Sequence, residues 1–334
     1  MPLSTSHSSN GVPWGAVRLL VVAIVTWIGG ALYTLRINPE IAFFRRCVAV
    51  KQLWAEKLDV EYPNKIVFCG GSSCNTSVDG ERLLNRYGLP ALNMGLGAGM
   101  GAEVLTHYAQ TAVRTGDTLI VGLETDLLSG PVRIESLGAQ FGFSIGKPSL
   151  LRDPHRVDWP SVLLDLRPGG YHTFTLIAKV ALRRPLYPYF VSELHPSGWH
   201  EVGERIIVKS VKTAPTKLSK EGRAWLIGLH DWCDRRNVRV AYALPWGYCS
   251  PENLARFQGC NLQFLRDVAA TMPVLKDPHL GADTNREHFA NTPFHPTAEG
   301  AALRTDELAR EIKSWTLWTP DELNERLKAI ALAE

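Results

Sequence analysis

From Trp14 to Leu35 the chain is a single apolar run interrupted by one charge, Arg18. Its uncharged part, Leu19 to Leu35, is about 17 residues, the lower limit for a helix that crosses a bilayer. The pattern predicts a transmembrane signal anchor over 14–35 behind a short tail at 1–13. Gly29 and Ala31 also sit at a spacing that suits a signal-peptide cleavage site, so removal of this segment is the alternative. An amphipathic connector follows at 36–60, with its clearest pattern from Pro39 to Leu58.

Beyond it, short β-rich runs alternate with stretches of helical spacing, the pattern of a parallel sheet covered on both faces. Lys65 to Cys69 reads as the first strand and ends in Gly70-Gly71-Ser72-Ser73; a polar, helix-like stretch continues to Tyr87. Ala91 to Leu96 is the second strand, followed by a Gly-rich turn and a helix from Ala102 to Arg114. Thr118 to Leu123 is the third. Past Leu128 the periodicity decays until about Lys220, which marks 129–220 as an insertion. Glu221 to Arg236, Leu254 to Ala269 and Thr297 to Trp315 read as helices; Val238 to Leu244 and Met272 to Leu275 read as strands. The expected fold is an α/β domain over 61–318, with a doubly wound, mostly parallel sheet. A last amphipathic helix, opened by Pro320, occupies 319–334.

Composition narrows the function classes. With 334 residues, 45% of them hydrophobic and 21% charged, the chain is globular and long enough for one large core. A formal charge of +3, with Lys and Arg spread along the chain, gives no basis for a nucleic-acid partner. The six cysteines form no C-x-x-C pair and have no His at zinc-site spacing. Cys249 and Cys260 are candidates for a disulfide in an oxidising compartment, and buried free thiols are the alternative.

Two blocks carry candidate chemistry. A serine on a tight turn between a buried strand and a helix is held at the carboxyl edge of a parallel sheet, where such folds bind ligands. Backbone N–H groups there stabilise developing negative charge. Ile66-Val67-Phe68-Cys69-Gly70-Gly71-Ser72-Ser73 fits that geometry, with Ser72 the first choice as nucleophile and Ser73 its rival. Gly-Gly-Ser is equally an ordinary turn and helix cap. The second block, Asn291-Thr-Pro-Phe-His295-Pro-Thr-Ala-Glu-Gly300, sets His295 just before the last large helix, with His288 and His279 as rival bases.

Together with Asn93-Met-Gly-Leu-Gly-Ala-Gly99, these blocks resemble the SGNH (GDSL-like) hydrolase superfamily across Lys65 to Trp315. The tail after His295 is similar to that of membrane-anchored members linked to polysaccharide O-acetylation. The resemblance implies Ser72 as nucleophile and His295 as its base. It also implies an oxyanion hole from the Ser72 N–H, a glycine N–H (Gly99, with Gly97 as runner-up) and an Asn side chain after the third strand. This chain departs from that pattern twice. Asn291 or Thr292 stands where the family has an Asp, with Asp283 as a spare carboxylate upstream. Glu124 stands near the place of the oxyanion Asn, and an ionised Glu cannot donate a hydrogen bond; it is either protonated by burial or anchors something else.

The expected function is a membrane-anchored serine esterase or O-acetyltransferase acting on acetyl esters of an extracytoplasmic polysaccharide. It requires no cofactor and no metal. The resemblance further implies a membrane-bound acyltransferase partner that hands over the acyl donor, and an inner-membrane location with a periplasmic domain. Charge counting points the other way, because Arg36, Arg45, Arg46 and Lys51 follow the anchor, and that reading would make the chain a cytoplasmic-facing lipid esterase. The alternative from another class is a catalytically silent SGNH-like domain that binds carbohydrate or scaffolds a membrane polysaccharide-modification complex. Arg183, Arg184, Tyr187 and Tyr189 in the insertion are candidates for a sugar-facing surface, or for an ordinary solvated loop.

Overall fold

The computed structural model describes residues 14–132, 136–145, 193–203 and 208–331, with scattered positions elsewhere between 133 and 207. Four parallel strands form the central sheet: β1 (Ile66–Gly70), β2 (Ala91–Asn93), β3 (Thr118–Gly122) and β6 (Arg239–Tyr242), in the order β2-β1-β3-β6. The shorter pairs β4 (Glu193–Leu194) with β5 (His200–Glu201), and β7 (Gly247–Tyr248) with β8 (Ala282–Asp283), lie outside it.

Strand period explains why both faces are covered. Along β1 the side chains of Val67 and Cys69 enter one buried cluster, and those of Ile66 and Phe68 enter another. Each fully buried side chain of this kind contributes roughly 1.5–3 kcal/mol. The first cluster packs against α2 (Pro39–Glu61), α5 (Gly101–Gln110), α8 (Lys220–Asp234) and α9 (Leu254–Ala269). The second packs beneath α4 (Gly80–Tyr87) and α10 (Ala298–Ser314). The polar stretch expected as one helix to Tyr87 is two, α3 (Ser72–Ser77) and α4, because Asp79 caps the second by accepting the Arg82 N–H. Met272 to Leu275 contributes isolated bridges, Val274 to Tyr242 and Leu275 to Leu317, in place of a full strand.

The segment expected as the anchor is helix α1 (Trp14–Arg36), apolar and long enough to cross a membrane. Only Ile37 and Asn38 separate it from α2, whose first turn Asn38 caps through the Glu40 N–H. The connector is therefore a wall of the domain. Ile41, Phe44, Cys47, Lys51, Trp54 and Leu58, at helical spacing, are all buried. Lys51 lies inside the fold, so it does not belong in the count of membrane-flanking surface charges.

The insertion is not without structure. Helix α7 (Ser136–Ser144) packs against α1, α2 and the turn after β2, and the β4–β5 hairpin packs on α3. Tyr187 and Tyr189 lie outside the described residues, whereas Arg183 and Arg184 are exposed. The remaining helices are α6 (Thr125–Ser129) and α11 (Pro320–Ala331). All six cysteines are free; Cys249 is buried with its thiol donating to Val211 O at 3.4 Å, so no Cys249–Cys260 disulfide is formed.

Candidate active site

Strand order reverses between β1 and β3, with β2 on one side and β6 on the other. The crevice at the carboxyl ends of two such strands is where doubly wound sheets bind ligands. Ser72 follows β1 into that crevice, and Glu124 follows β3 into the same place.

Glu124 decides between the two serines. Its carboxylate accepts the Gly71 N–H at 3.1 Å, the Ser73 N–H at 3.1 Å and the Ser73 hydroxyl at 2.8 Å. Ser73 is thus spent: it is 1% exposed and its Oγ–H is directed into a carboxylate, while Ser72 stays partly exposed at the first position of α3. Of the two roles left open for Glu124, donor by protonation or anchor, the geometry matches the anchor and not the oxyanion donor: the two carboxylate oxygens together accept three hydrogen bonds and tie down the turn. Burial raises the Glu124 pKa, and the bonds from its own N–H, Ser73 and Gly71 oppose the rise.

The turn after β2 is pinned from below. Asn93 Nδ2 donates to Cys74 O at 3.0 Å and to Val78 O at 2.8 Å, and its Oδ1 accepts the Gly95 N–H at 2.9 Å. Pairing with β1 continues past the named strand through Met94 N–H to Phe68 O and Leu96 N–H to Gly70 O. Gly97 is the first residue past that pairing, against the Phe44 ring of α2. Gly99 is two residues further on, exposed, and faces Leu137 of α7. Of the two glycines, the runner-up Gly97 is the one that directly follows the segment paired with β1.

His295 is 4% exposed, and its Nδ1 lies 2.8 Å from Asn291 Oδ1. With Nδ1 so engaged, the proton-accepting role falls to Nε2. Burial holds the imidazole's pKa down to about 4, so it is neutral at ordinary pH. Thr297, two residues on, caps α10 by accepting the Gly300 N–H. Helix α10 runs antiparallel to the strands, as α3 does after β1: Arg304, in its second turn, donates to Leu244 O just past β6, Trp315, just past its end, lies against Arg239 at the start of β6, and Thr305 donates to Ser77 O at the end of α3. Both helices therefore begin at the same edge of the sheet, and Ser72 and His295 lie at those beginnings.

The rival bases are placed differently. Asp283 was a candidate to orient His295; instead its Oδ2 lies 2.5 Å from His288 Nδ1, and Asn285 Nδ2 lies 2.9 Å from His288 Nε2. Both His288 nitrogens are consumed locally, and the ring stacks on Trp246. His279 is exposed and 3.6 Å from Glu307, at the margin of a buried network in which Arg304 meets Asp277, Glu307 and Glu311. Thr292, the other candidate beside Asn291, accepts the Phe294 N–H and shapes the loop.

The sequence reading missed the hairpin. His200, fully buried, packs against Phe43 with the rings tilted and their centroids 5.0 Å apart, and its pKa is pushed down to about 3 by burial first, then by His295, Lys51 and Arg46. Lys51 Nζ donates to Asn75 Oδ1 at 3.0 Å, Asn93 O at 2.7 Å and Gly198 O at 2.6 Å, joining α2, α3, β2 and the hairpin. Trp199 Nε1–H bonds Thr76 O at 2.8 Å. A Ser-Gly-Trp-His run at 197–200 is the only sequence signal for this clasp.

A concavity of about 640 Å³ lined by Gly116, Asp234, Asn237 and Arg239 opens at the opposite, amino-terminal edge of the sheet. No group of three or more His, Cys, Asp or Glu able to hold a metal occurs among the described residues. Compared with known proteins, the chain matches no family model, no curated protein and no solved structure.

Proposed function

We infer that the chain is a serine-dependent acyl-ester enzyme of SGNH type, an esterase or O-acetyltransferase for acylated carbohydrate, held at a membrane by α1. The observation that carries this reading is a partly exposed serine at a strand-to-helix turn of the switch-point crevice, with a neutral histidine oriented through Nδ1 at the same sheet edge. In the reaction, Ser72 Oγ attacks the ester carbonyl while its proton passes to His295 Nε2. The new Oγ–acyl bond forms, the ester C–O bond breaks, and His295 returns the proton to the departing alkoxide. A sugar hydroxyl or water then attacks the acyl-serine, gives its proton to His295, and Ser72 is regenerated. The N–H groups of Ser72 and Gly97 stabilise the oxyanion in both steps.

Asn291 favours a second reading, a domain of weak or lost activity, because an amide orients the imidazole without a charge to stabilise the imidazolium. One assay separates the two: turnover of 4-nitrophenyl acetate by the full chain in detergent, beside Ser72→Ala and His295→Ala. A loss of about 10³-fold or more in both variants supports the enzyme. Equal rates in all three would sink it and leave the binding or scaffold role.

A further inference from the structure

The direction in which α2 crosses the domain fixes which edge of the sheet lies nearest the membrane. At its start, a Cβ on Gly97 would meet Phe44 Cζ at 2.8 Å, and Phe43 packs against His200. Mid-helix, Lys51 reaches Asn93 O at the end of β2; a turn later Trp54 Nε1–H reaches Ala91 O at its beginning, at 2.9 Å. At its end, Asp59 bonds Lys65, which precedes β1, at 2.7 Å. Helix α2 therefore runs antiparallel to the strands, from the Ser72 edge to the far edge. Its first turn follows α1 by two residues, and Phe44 is only about 9 Å along the helix from Asn38.

The end of α1 supplies a second observation. The last turns of α1 are sheathed by the domain on one side only: Gly30 and Thr34 are buried, and Trp27 Nε1–H donates to Leu163 O at 3.0 Å. Beside that sheath, Phe143, Trp159 and Leu163 expose 40%, 39% and 47% of their surface, and the first two rings lie 6.3 Å apart. Large apolar groups continuous with a spanning helix are what a membrane interface covers.

We propose that the Ser72 edge faces the membrane in which α1 sits, with Phe143, Trp159 and Leu163 resting in the headgroup region, so the substrate is an ester carried by a membrane-tethered molecule. The substrate assignment rests on the acyl-ester reading; the orientation does not.

Two measurements on the full chain in phosphatidylglycerol/phosphatidylcholine nanodiscs test this. In a Cys260→Ser background, spin labels are placed at Asp126→Cys, exposed just after β3, and at Arg235→Cys, exposed just before β6. Nickel chelated on lipid headgroups should relax the label at 126 several-fold more than the label at 235; equal or reversed relaxation overturns the orientation, whatever the enzyme does. The second measurement compares an acetylated glucoside on a lipid anchor with the same acetylated glucoside free in solution. Phe143→Asp with Trp159→Asp should cut the preference for the anchored ester about tenfold and leave 4-nitrophenyl acetate turnover within twofold. No preference in the native chain overturns the substrate class. Absence of all turnover, 4-nitrophenyl acetate included, overturns the acyl-ester reading and with it the substrate class, while the labels still decide the orientation.

Discussion

The carboxylate of Glu124 lies against the backbone of Gly71 so closely that a Cβ there would sit 2.3 Å from Oε2. Gly71 has a φ of −85°, which any residue adopts, so the demand for glycine comes from the neighbouring carboxylate and not from the torsion. Glu124 in turn takes three hydrogen bonds from the turn that presents Ser72. The two residues form one device, a turn flattened onto a partly buried acceptor.

Replacing that acceptor has a calculable consequence. Gln at 124 supplies one oxygen for three donors and turns an NH₂ toward a backbone N–H, a mismatch worth about 1–3 kcal/mol. Glu124→Gln should lower unfolding free energy by that amount, and Gly71→Ala by more. In a Glu124→Ala background the Gly71→Ala penalty should shrink to under half, as read by a double-mutant cycle in urea. Additive penalties would show that the glycine serves something else.

The same carboxylate separates the adjacent serines in a way that rates and stabilities can distinguish. Ser73→Ala deletes a hydroxyl bonded to Glu124 and should cost about 1 kcal/mol, with ester turnover changed by no more than a few-fold. Ser72→Ala should leave the melting temperature within about 2 °C and abolish turnover. The opposite pairing, with Ser73→Ala inactive and Ser72→Ala active, would exchange their roles.

Much of this arrangement is legible in the residues, and its limits have physical causes. Strands Ile66–Gly70 and Thr118–Gly122 are continuous apolar runs buried on both faces, so their sequence announces them. Helix Leu254–Ala269 has the bounds that its spacing predicts. Met272 to Leu275 reads as a strand by composition, yet its apolar side chains are buried while its backbone finds only isolated bridges. Asp283 pairs with His288 because the chain folds back on itself within five residues, a local contact that spacing toward His295 does not reveal. His200 and Lys51 escaped for a different reason. Each is a lone polar residue in an unremarkable stretch, and only long-range packing, Lys51 to Gly198 for example, turns them into parts of the site.

That packing makes Lys51 a positioning residue with a measurable cost. Its ammonium is fully buried and satisfies three oxygens from three separate segments. Lys51→Met keeps most of the volume but leaves those oxygens without a donor, at about 1–3 kcal/mol apiece before relaxation. The variant should lose at least 3 kcal/mol and fold poorly. Lys51→Arg, whose planar fork does not match three converging oxygens, should lose about half as much. Thermal unfolding in detergent reads both; a Lys51→Met chain as stable as the native would show that the three contacts contribute nothing.

The buried imidazole offers the sharpest test, because its sign is fixed. Burial holds His295 down to about 4, below the ordinary value near 6.5 of an unfolded chain. A base must be neutral to accept the Ser72 proton, so kcat/KM should stay level as pH falls from 7 to 5 and decline only near 4. Stability runs in step: the unfolded chain takes up the proton below 6.5 and the folded one does not, so the His295 contribution is complete above 6.5 and is lost as pH drops toward 4. Asn291→Asp sets a carboxylate against Nδ1, favours the imidazolium, and should move the acid limb upward by a unit or more while raising kcat at pH 8 at least tenfold, the reverse of the loss seen when a triad carboxylate becomes an amide. A native profile with its limb at 6.5, or an Asn291→Asp chain with unchanged kcat and limb, would mean that the proton leaving Ser72 goes to a group other than His295.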